Sequence, residues 1–424
     1  MRAAFFIAIS LLFCRTATSQ PRPPATPSAT AASVEPILTG AEQVDLYLPL
    51  LQGHSVAVFA NPTSVVGSTH LVDTLLKRGI HIQKIFSPEH GFRVDADAGA
   101  VVGNQTDPRT GIPVISLYGS KLSPSAADLA DVDVLLFDIQ DVGVRFYTYI
   151  SSLQKYLESA IANNKPLIIL DRPDPNGFYV DGPVLDPKFR SFVGMQPIPV
   201  VYGMTIGEYA RMLIGEHWLA PEIDSILKRQ PADATHQPAD TTGNSFRLTI
   251  IPCLNYMHKS RYTLPVKPSP NLPDMQSVYL YPSLCLFEGT PVSIGRGTRK
   301  PFQQFGHPSF PAGGYSFTPE SMPGASNPPQ MGQVCYGDDL SQVDVAKETG
   351  ERWSLKWVLK AYRLFPDKDH FFTGNGSTFR RLAGSDILQQ QIREGLTEEQ
   401  IRQSWEPALS HFKKIRKKYL LYAD

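Results

Sequence analysis

Three side chains that could do chemistry follow one predicted strand. The strand-like run 82–86 stops at a proline, and Glu89, His90 and Arg93 come within the next five residues. Proline removes a ladder hydrogen bond and the intervening Gly91 permits a tight turn, so this stretch is predicted to be a loop at a strand end. An acid, an imidazole and a guanidinium in such a loop could transfer protons and bind an anion.

Further ionisable and polar residues follow the next predicted strands. Asp138, Gln140 and Asp141 come at the end of the apolar run 132–138, and Asp171 and Arg172 come at the end of the run 165–171. The carboxyl ends of parallel strands meet at one rim of a sheet, which is where ligands bind. The sequence therefore predicts one polar site built from several loops.

Paired carboxyl groups at this rim would suit glycoside hydrolysis, which generally needs a general acid and a second group for water or the anomeric carbon. Glu89 is the predicted acid, because apolar strands beside it would favour its protonated form. Asp138 and Asp141 are candidates for the second group, although Asp138 suits a buried cap that ties down a loop equally well. His90 could be a rival acid or base, or a structural histidine.

Tyrosines and arginines complete the candidate set. Tyr147 and Tyr149 begin a predicted helix, where they could assist charge development or simply pack. Four arginines lie in loops marked by glycine or proline and could bind a carboxylate, or could form salt bridges with aspartates of the same loops. They are Arg93, Arg145, Arg172 and Arg296, and Glu288 shares the Gly-rich segment 287–308 with the last of them.

Several other chemistries lack their motifs. No G-x-G-x-x-G follows the first strand, and neither a P-loop nor H-E-x-x-H occurs, so we predict no nucleotide cofactor and no metal. The 40 basic and 40 acidic residues leave no basic excess for nucleic acid. Ser152 and Lys155 match the S-x-x-K motif of acyl and amide hydrolases, which leaves such a hydrolase as a second alternative although the companion S-D-N and K-T-G motifs are missing.

Alternating strand and helix patterns must position these residues. Strand-like runs at 55–61, 112–119, 132–138 and 165–171 alternate with helical spacing at 68–79 and 147–164. This pattern predicts an α/β fold with a Rossmann-like, doubly wound, mostly parallel sheet over residues 37–200. Helical patterns at 204–219, 354–366 and 397–422, a strand at 246–254 and Pro-rich loops predict a smaller α+β second domain, residues 201–424, that completes the cleft.

The N-terminus is predicted to direct secretion. Residues 1–19 carry Arg2, an apolar run and a small-residue cleavage site, which together are typical of a signal peptide and too short for a membrane span. A lipoprotein is the lower-ranked alternative, because Phe13 precedes Cys14. Residues 20–36 form a Pro/Ala-rich linker, and a periplasmic location is expected. The three remaining cysteines are predicted to be buried apolar residues, with one disulfide left open as an alternative.

Five longer motifs carry a family resemblance. "SPEHGFR", "FDIQDVGVRFYTYISSL", "DRPDPNG", "PSPNLP" and "YPSLCLFEGTPVSIGRGTRKPFQQFGHP" resemble the exo-β-N-acetylmuramidases of the NamZ type, from about residue 40 to the C-terminus. The resemblance implies a secreted or periplasmic enzyme of peptidoglycan turnover. It would remove single N-acetylmuramic acid residues from the non-reducing end of peptide-free glycan fragments, using a Rossmann-like domain joined to a smaller one.

The resemblance also implies roles for individual residues. Glu89 is the glutamate of the S-P-E-H-G motif and the hypothesised general acid, and Asp138, Gln140, Arg145, Tyr147 and Tyr149 would supply polar contacts. We add His90, Arg93, Asp171, Arg172, Asn271, Glu288 and Arg296 as predicted substrate-binding residues. Because N-acetylmuramic acid carries a lactyl carboxylate that must be paired when it is desolvated, at least one of the four arginines should contact it. A non-catalytic envelope module that binds glycan is the rival of a different class.

Overall fold

The computed structural model describes residue 1 and residues 35–93, 103–229 and 246–424. The predicted signal peptide (1–19) and nearly all of the predicted linker (20–36) lie outside the described residues. Residues 37–424 form one unit. No helix in the described ranges is long and apolar enough to cross a membrane.

Seven strands form the main sheet, in the spatial order β5-β6-β4-β1-β7-β8-β9, and only β5 pairs in the antiparallel sense. These strands are β1 (Ser55–Ala60), β4 (His81–Ser87), β5 (Gln105–Thr106), β6 (Pro113–Ser116), β7 (Val134–Asp138), β8 (Leu167–Leu170) and β9 (Leu248–Ile251). A two-residue ribbon, β2 (Val65–Val66) and β3 (Thr69–His70), follows β1. A separate antiparallel sheet has the order β10-β12-β11, with β10 (Gln304–His307), β11 (Tyr315–Phe317) and β12 (Cys335–Asp339).

The described α-helices are α1 (Val44–Leu51), α2 (Leu71–Lys77), α3 (Tyr149–Ala162), α4 (Ile206–Gly215), α5 (Pro221–Lys228), α6 (Met275–Leu284), α7 (Val345–Thr349), α8 (Lys356–Leu364), α9 (Ser377–Ala383), α10 (Ile387–Arg393) and α11 (Glu398–Arg416). The helices predicted over 68–79, 147–164, 204–219 and 354–366 are therefore present, each shorter at its ends. The basic helix predicted over 397–422 ends at Arg416.

Both faces of the main sheet are covered, because successive side chains of a strand point to opposite faces. Leu135 and Phe137 of β7 belong to one hydrophobic cluster, together with Leu153 and Leu157 of α3. Leu136, the residue between them, belongs to a second cluster on the other face, where α2 packs. Strands buried on both faces read as continuous apolar runs, and this explains why the doubly wound sheet could be predicted.

The main sheet continues beyond residue 200, where the sequence predicts the second domain to begin, and the boundary at residues 200 and 201 stays a prediction. Strand β9 pairs in parallel with β8, with Leu167 opposite Leu248, and so extends the main sheet beyond residue 200. A strand that joins an existing sheet after a helical crossover has the same local pattern as one that starts a new domain. The sequence run 246–254 could therefore not show to which sheet it belonged.

The three cysteines of the described chain, Cys253, Cys285 and Cys335, are buried free thiols. This agrees with the prediction that they act as small apolar core residues.

Candidate active site

A cavity of about 400 Å³ lies beyond the carboxyl ends of β4, β6 and β7. Seven of the predicted site residues line it: Glu89, His90, Tyr147, Tyr149, Asn271, Glu288 and Arg296. The volume is in the range of pockets that hold small ligands. Residues from the main sheet and residues beyond α6 therefore build one site.

The loop after β4 forms one end of the cavity and presents Glu89. His90 has a backbone φ of 70° and Gly91 a φ of 84°, so the chain turns sharply directly after the glutamate. A left-handed histidine costs free energy that the surrounding structure must offset, and such strain clusters at functional sites. His90 is itself buried, and its Nε2 lies 3.5 Å from Ser269 Oγ.

Two hydroxyl groups contact the half-buried Glu89 side chain. Thr148 Oγ1 donates a hydrogen bond to Glu89 Oε2 at 3.4 Å. The Tyr118 hydroxyl also bonds to this carboxyl group, and burial together with the neighbouring Glu89 charge raises the pKa of Tyr118 to about 12. Both hydroxyls are therefore protonated donors at neutral pH, and they hold the glutamate in one orientation.

Aromatic side chains connect this end of the cavity to the other. Tyr147 and Tyr149 lie edge to face with ring centroids 4.7 Å apart, and Tyr281 packs 5.9 Å from Tyr147 and 5.0 Å from Phe302. Burial raises the pKa of both Tyr147 and Tyr149, so their hydroxyls stay protonated. The Tyr147 hydroxyl donates to the Pro268 carbonyl at 2.6 Å. These rings offer flat apolar faces of the kind that stack on sugars.

An ion pair forms the opposite end of the cavity. Arg296 donates to Glu288 Oε1 at 2.6 Å and its guanidinium lies 5.2 Å from the centre of the Phe302 ring. Burial by itself would lower the pKa of Arg296, but the carboxylate of Glu288 raises this pKa above its usual value. Its side chain keeps 18% of its accessible surface, so the cation is fixed in place and still reachable from the cavity.

The structure gives the other three arginines protein partners outside the cavity. Arg93 forms ion pairs with Asp73 at 2.7 Å and Asp107 at 3.0 Å. Arg145 is completely buried, and its guanidinium donates to the carbonyl groups of Pro183, Ile198 and Leu382 at 2.7, 2.8 and 2.9 Å. Burial lowers the pKa of Arg145 to about 9.

Arg172, the third of these, is paired with Asp138 in a bidentate contact. The Nε–Oδ1 and Nη2–Oδ2 distances are 2.5 and 2.9 Å, and both side chains are buried. Burial by itself would lower the pKa of Arg172, but the Asp138 carboxylate raises this pKa above its usual value. Asp138 thus acts as the buried cap that the sequence left open as an alternative, and not as a cavity carboxylate.

The remaining rim residues also support loops rather than line the cavity. Asp141 accepts hydrogen bonds from the Tyr202 hydroxyl and, at 2.7 Å, from the Gly143 backbone, and burial raises its pKa to about 7. Gln140 donates to the carbonyl groups of Asp141 and Pro173, both at 2.8 Å. The second carboxylate predicted from this loop is therefore not in the cavity, where Glu288 is found instead.

Asp171 lies at the end of β8 and is fully enclosed. It accepts hydrogen bonds from Tyr422 at 2.6 Å, Thr205 at 2.7 Å and the Gly207 backbone at 2.9 Å. Burial raises the pKa of Asp171 to about 6. These contacts join the main sheet to α4 and to the end of the chain, so Asp171 acts within the scaffold.

Ser152 and Lys155 do not form a nucleophile and base at the cavity. Ser152 is buried within α3, and the Lys155 ammonium group bonds to Glu158 at 2.8 Å. A lysine held as an ammonium ion by a carboxylate cannot accept the proton of a serine hydroxyl.

Some cavity residues were missed by sequence reasoning. Thr148 lies between the two predicted tyrosines, Tyr147 and Tyr149. Its position in the "FDIQDVGVRFYTYISSL" motif could have indicated that it belongs to the site. Phe192 and Val193 come from a loop that carries no chemical pattern, whereas Ser269 lies in the "PSPNLP" motif, two residues before the predicted Asn271. Only the folded chain brings them to the rim.

The fold and the cavity together define a class of protein. It is an α/β protein with a sugar-sized cavity beyond the carboxyl ends of parallel strands. One end of this cavity carries a carboxyl group and the other end carries an arginine. Family models described as exo-β-N-acetylmuramidase NamZ match the chain over residues 56–276 (N-terminal) and 279–422 (C-terminal). The chain belongs to this family. The two models meet at α6, well after the predicted boundary.

Individual relatives agree with this assignment. The chain is 38% identical over 394 residues to the peptidoglycan β-N-acetylmuramidase NamZ of Bacillus subtilis (strain 168), covering 89% of each protein. It is also similar to crystal structures of two DUF1343 family proteins from Bacteroides fragilis NCTC 9343. One is 43% identical with a TM-score of 0.80, covering 92% of this chain and 100% of that one. The other is 27% identical with a TM-score of 0.73, covering 91% and 99%.

Proposed function

We propose that this protein is an exo-β-N-acetylmuramidase that hydrolyses the β-glycosidic bond of terminal, non-reducing N-acetylmuramic acid in peptidoglycan glycan fragments. Family membership supports the reaction class. The observation that carries the proposal for this chain is that Glu89 and Arg296 line the same cavity. A general acid and a carboxylate-binding cation, joined by aromatic faces, match an acidic sugar.

Glu89 is the proposed general acid. It protonates the glycosidic oxygen as the bond to the anomeric carbon breaks, and water adds to that carbon as the positive charge develops on the ring. Thr148 and Tyr118 keep the carboxyl group pointed into the cavity. Tyr147, Tyr149 and Tyr281 lie against the sugar ring and limit the access of bulk water.

Arg296 is the proposed ligand of the lactyl carboxylate. All four arginines considered lie in the described part of the chain, and of these Arg296 alone lines the cavity. Its ion pair with Glu288 supports the proposal, because it fixes the guanidinium at this end of the cavity. A second carboxylate can share the guanidinium, which has five donors. N-acetylglucosamine lacks the lactyl group, so the contact would discriminate between the two sugars.

The test is hydrolysis of a chromogenic β-N-acetylmuramic acid glycoside and of a disaccharide with N-acetylmuramic acid at its non-reducing end. We expect release of N-acetylmuramic acid by the wild-type protein. The Glu89→Gln variant should lose about 10²- to 10⁴-fold in kcat on the disaccharide, whose leaving group is poor, and should still bind it. An absence of N-acetylmuramic acid release by the wild-type protein, together with intact glycan binding, would favour the non-catalytic envelope module.

The proposed site of action is the periplasm, reached through the predicted signal peptide of residues 1–19. Peptidoglycan fragments occur there, which makes the location consistent with the proposed substrate. Cell fractionation checks it: the processed protein should be found in the soluble envelope fraction, and retention of the intact N-terminus in the cytoplasm would contradict the location.

A further inference from the structure

The basic end of α11 lines a second pocket that the proposed reaction does not use. This pocket, of about 290 Å³, lies between the segment Gly177–Val180, the loop around His258 and the C-terminal residues. Lys413 and Lys417 are four positions apart, so they lie on the same side of the chain at the end of the helix. Lys259 reaches the same pocket from a different segment. We refer to it as the lysine pocket.

The three lysines that give the pocket its charge are exposed. Within the described ranges, no carboxylate forms an ion pair with any of the three ammonium groups. Asp424, the one carboxylate in the lining, is paired with Arg416 at 2.8 Å and acts on Lys417 only at longer range. The pocket therefore carries a local excess of positive charge although the whole chain is neutral.

Helix stability alone does not account for this arrangement. Basic residues in the last turn of a helix interact favourably with its dipole, which would explain lysines at 413 and 417. It would not explain why Lys259, from a loop, faces the same concave surface, nor why that surface has an apolar floor. The floor consists of the partly exposed side chains of Phe178, Tyr179 and Val180.

A neighbouring pocket extends this surface. It has a volume of about 350 Å³ and shares Phe178 and Tyr179 with the lysine pocket, so the two pockets adjoin, and we refer to the pair as the groove. Tyr279 of α6 lines the neighbouring pocket, whereas Tyr281 lines the active cavity. Two residues correspond to about 200° around a helix, so the groove and the active cavity lie on different sides of α6.

We propose that the lysine pocket and its neighbour form a non-catalytic binding groove for a carboxylate-bearing glycan strand. Aromatic and aliphatic side chains would contact the faces of the sugar rings, and the ammonium groups would pair with the carboxylates of the N-acetylmuramic acid residues. The proposal rests on the proposed function, which makes an acidic glycan the polymer that this protein meets. The groove holds the enzyme on the strand while the active cavity acts only at chain ends.

The test uses peptide-free glycan strands that end in N-acetylglucosamine at the non-reducing terminus. An exo-enzyme specific for terminal N-acetylmuramic acid cannot take this end into its cavity, so binding reports the groove. We compare the full-length wild-type protein, the triple variant Lys259→Gln, Lys413→Gln, Lys417→Gln, and a charge-matched control. The control is Lys77→Gln, Lys228→Gln, Lys414→Gln, three exposed lysines outside the lining.

We expect the lysine-pocket triple variant to bind the strands about tenfold more weakly than the control, because three exposed charge pairs are lost. Carboxyl-reduced strands should bind weakly to all three proteins, and added salt should weaken binding to the native strands. A thermal unfolding transition like that of the wild-type protein would verify that both triple variants are folded.

Equal affinities of the two triple variants, binding that survives carboxyl reduction, or binding confined to anionic phospholipid vesicles would overturn the proposal. Hydrolysis of the chromogenic glycoside by the wild-type protein tests the proposed function separately. A failure of the binding-groove proposal can therefore be distinguished from a failure of the proposed function.

Discussion

At the scale of single residues, the function of each arginine depends on its partners. Arg93 is held by two aspartates and Arg145 by three carbonyl groups, whereas Arg296 reaches the cavity with one carboxylate beside it. A guanidinium that its protein partners hold away from the cavity cannot reach a substrate carboxylate there. Arg296 is therefore the residue that should distinguish muramic from glucosamine-based substrates.

Replacing Arg296 tests this distinction. Arg296→Ala should lower kcat/KM for the N-acetylmuramic acid glycoside roughly tenfold to 100-fold, the usual loss for a hydrogen bond to a charged group. The value for the N-acetylglucosamine analogue should change much less. Steady-state kinetics on the two glycosides give the ratio directly.

Arg93→Ala is the matched control, since Arg93 is also a loop arginine near the rim. It should lower the free energy of unfolding without changing the preference between the two glycosides. If Arg93→Ala shifts the preference and Arg296→Ala does not, the assignment of the lactyl contact is wrong.

At the scale of elements, a buried ion pair joins the carboxyl ends of two neighbouring strands. Asp138 ends β7, and Arg172 follows β8 and also donates to the Val65 carbonyl of the β2–β3 ribbon at 2.9 Å. The contact holds three segments together. Breaking it would leave one charge buried without a partner.

Arg172→Met should therefore lower the free energy of unfolding by about 3–5 kcal/mol, the cost of an uncompensated buried charge. The double variant Asp138→Leu, Arg172→Met should recover part of this loss, because neither charge is then buried alone. Chemical denaturation of the wild type, the two single variants and the double variant gives the coupling free energy. Additive effects of the two substitutions would contradict a tight ion pair.

At the scale of the whole molecule, buried acids connect distant parts of the chain and make stability depend on pH. The Asp171 contact with Tyr422 joins residues 251 positions apart, and Asp141 is held by Tyr202. Burial raises the pKa values of Asp141 and Asp171 to about 7 and about 6, from an ordinary value of 3.8. At these two groups the folded protein thus binds protons more tightly than the unfolded chain does.

The contribution of these two carboxyl groups to the free energy of unfolding should consequently fall as the pH rises from about 4 to about 7, whereas the buried His70 ring, whose pKa is lowered to about 4, contributes in the opposite direction over this range. The contribution of each protonated carboxyl group is complete below its unfolded pKa and is lost as the pH passes through the folded value. Asp141→Asn should remove the share of Asp141, at most about 4 kcal/mol across this range. Denaturant midpoints at several pH values give the difference in the free energy of unfolding between wild type and variant, which should fall as the pH rises from about 4 to about 7, and a difference that does not depend on pH would contradict the buried acid.

Much of the fold could be predicted from the sequence. Runs such as 132–138 and 165–171 are buried on both faces, and continuous apolar strands between helical patterns specify a doubly wound sheet. The same order of elements put Glu89 at the rim of that sheet. The place of β9 could not be predicted, because an edge strand and the first strand of a new domain have the same local pattern.

The sequence by itself determined the strands, the helices and the carboxyl-end loops that carry the candidate groups, since these follow from local periodicity and from proline and glycine. Only the tertiary structure decided which of these groups face the cavity. Arg172 is neutralised by Asp138 from another strand, and Arg145 donates a hydrogen bond to a carbonyl group 237 residues away. Partners so distant in the chain leave no local signal, because ion pairs and burial depend on how the segments pack.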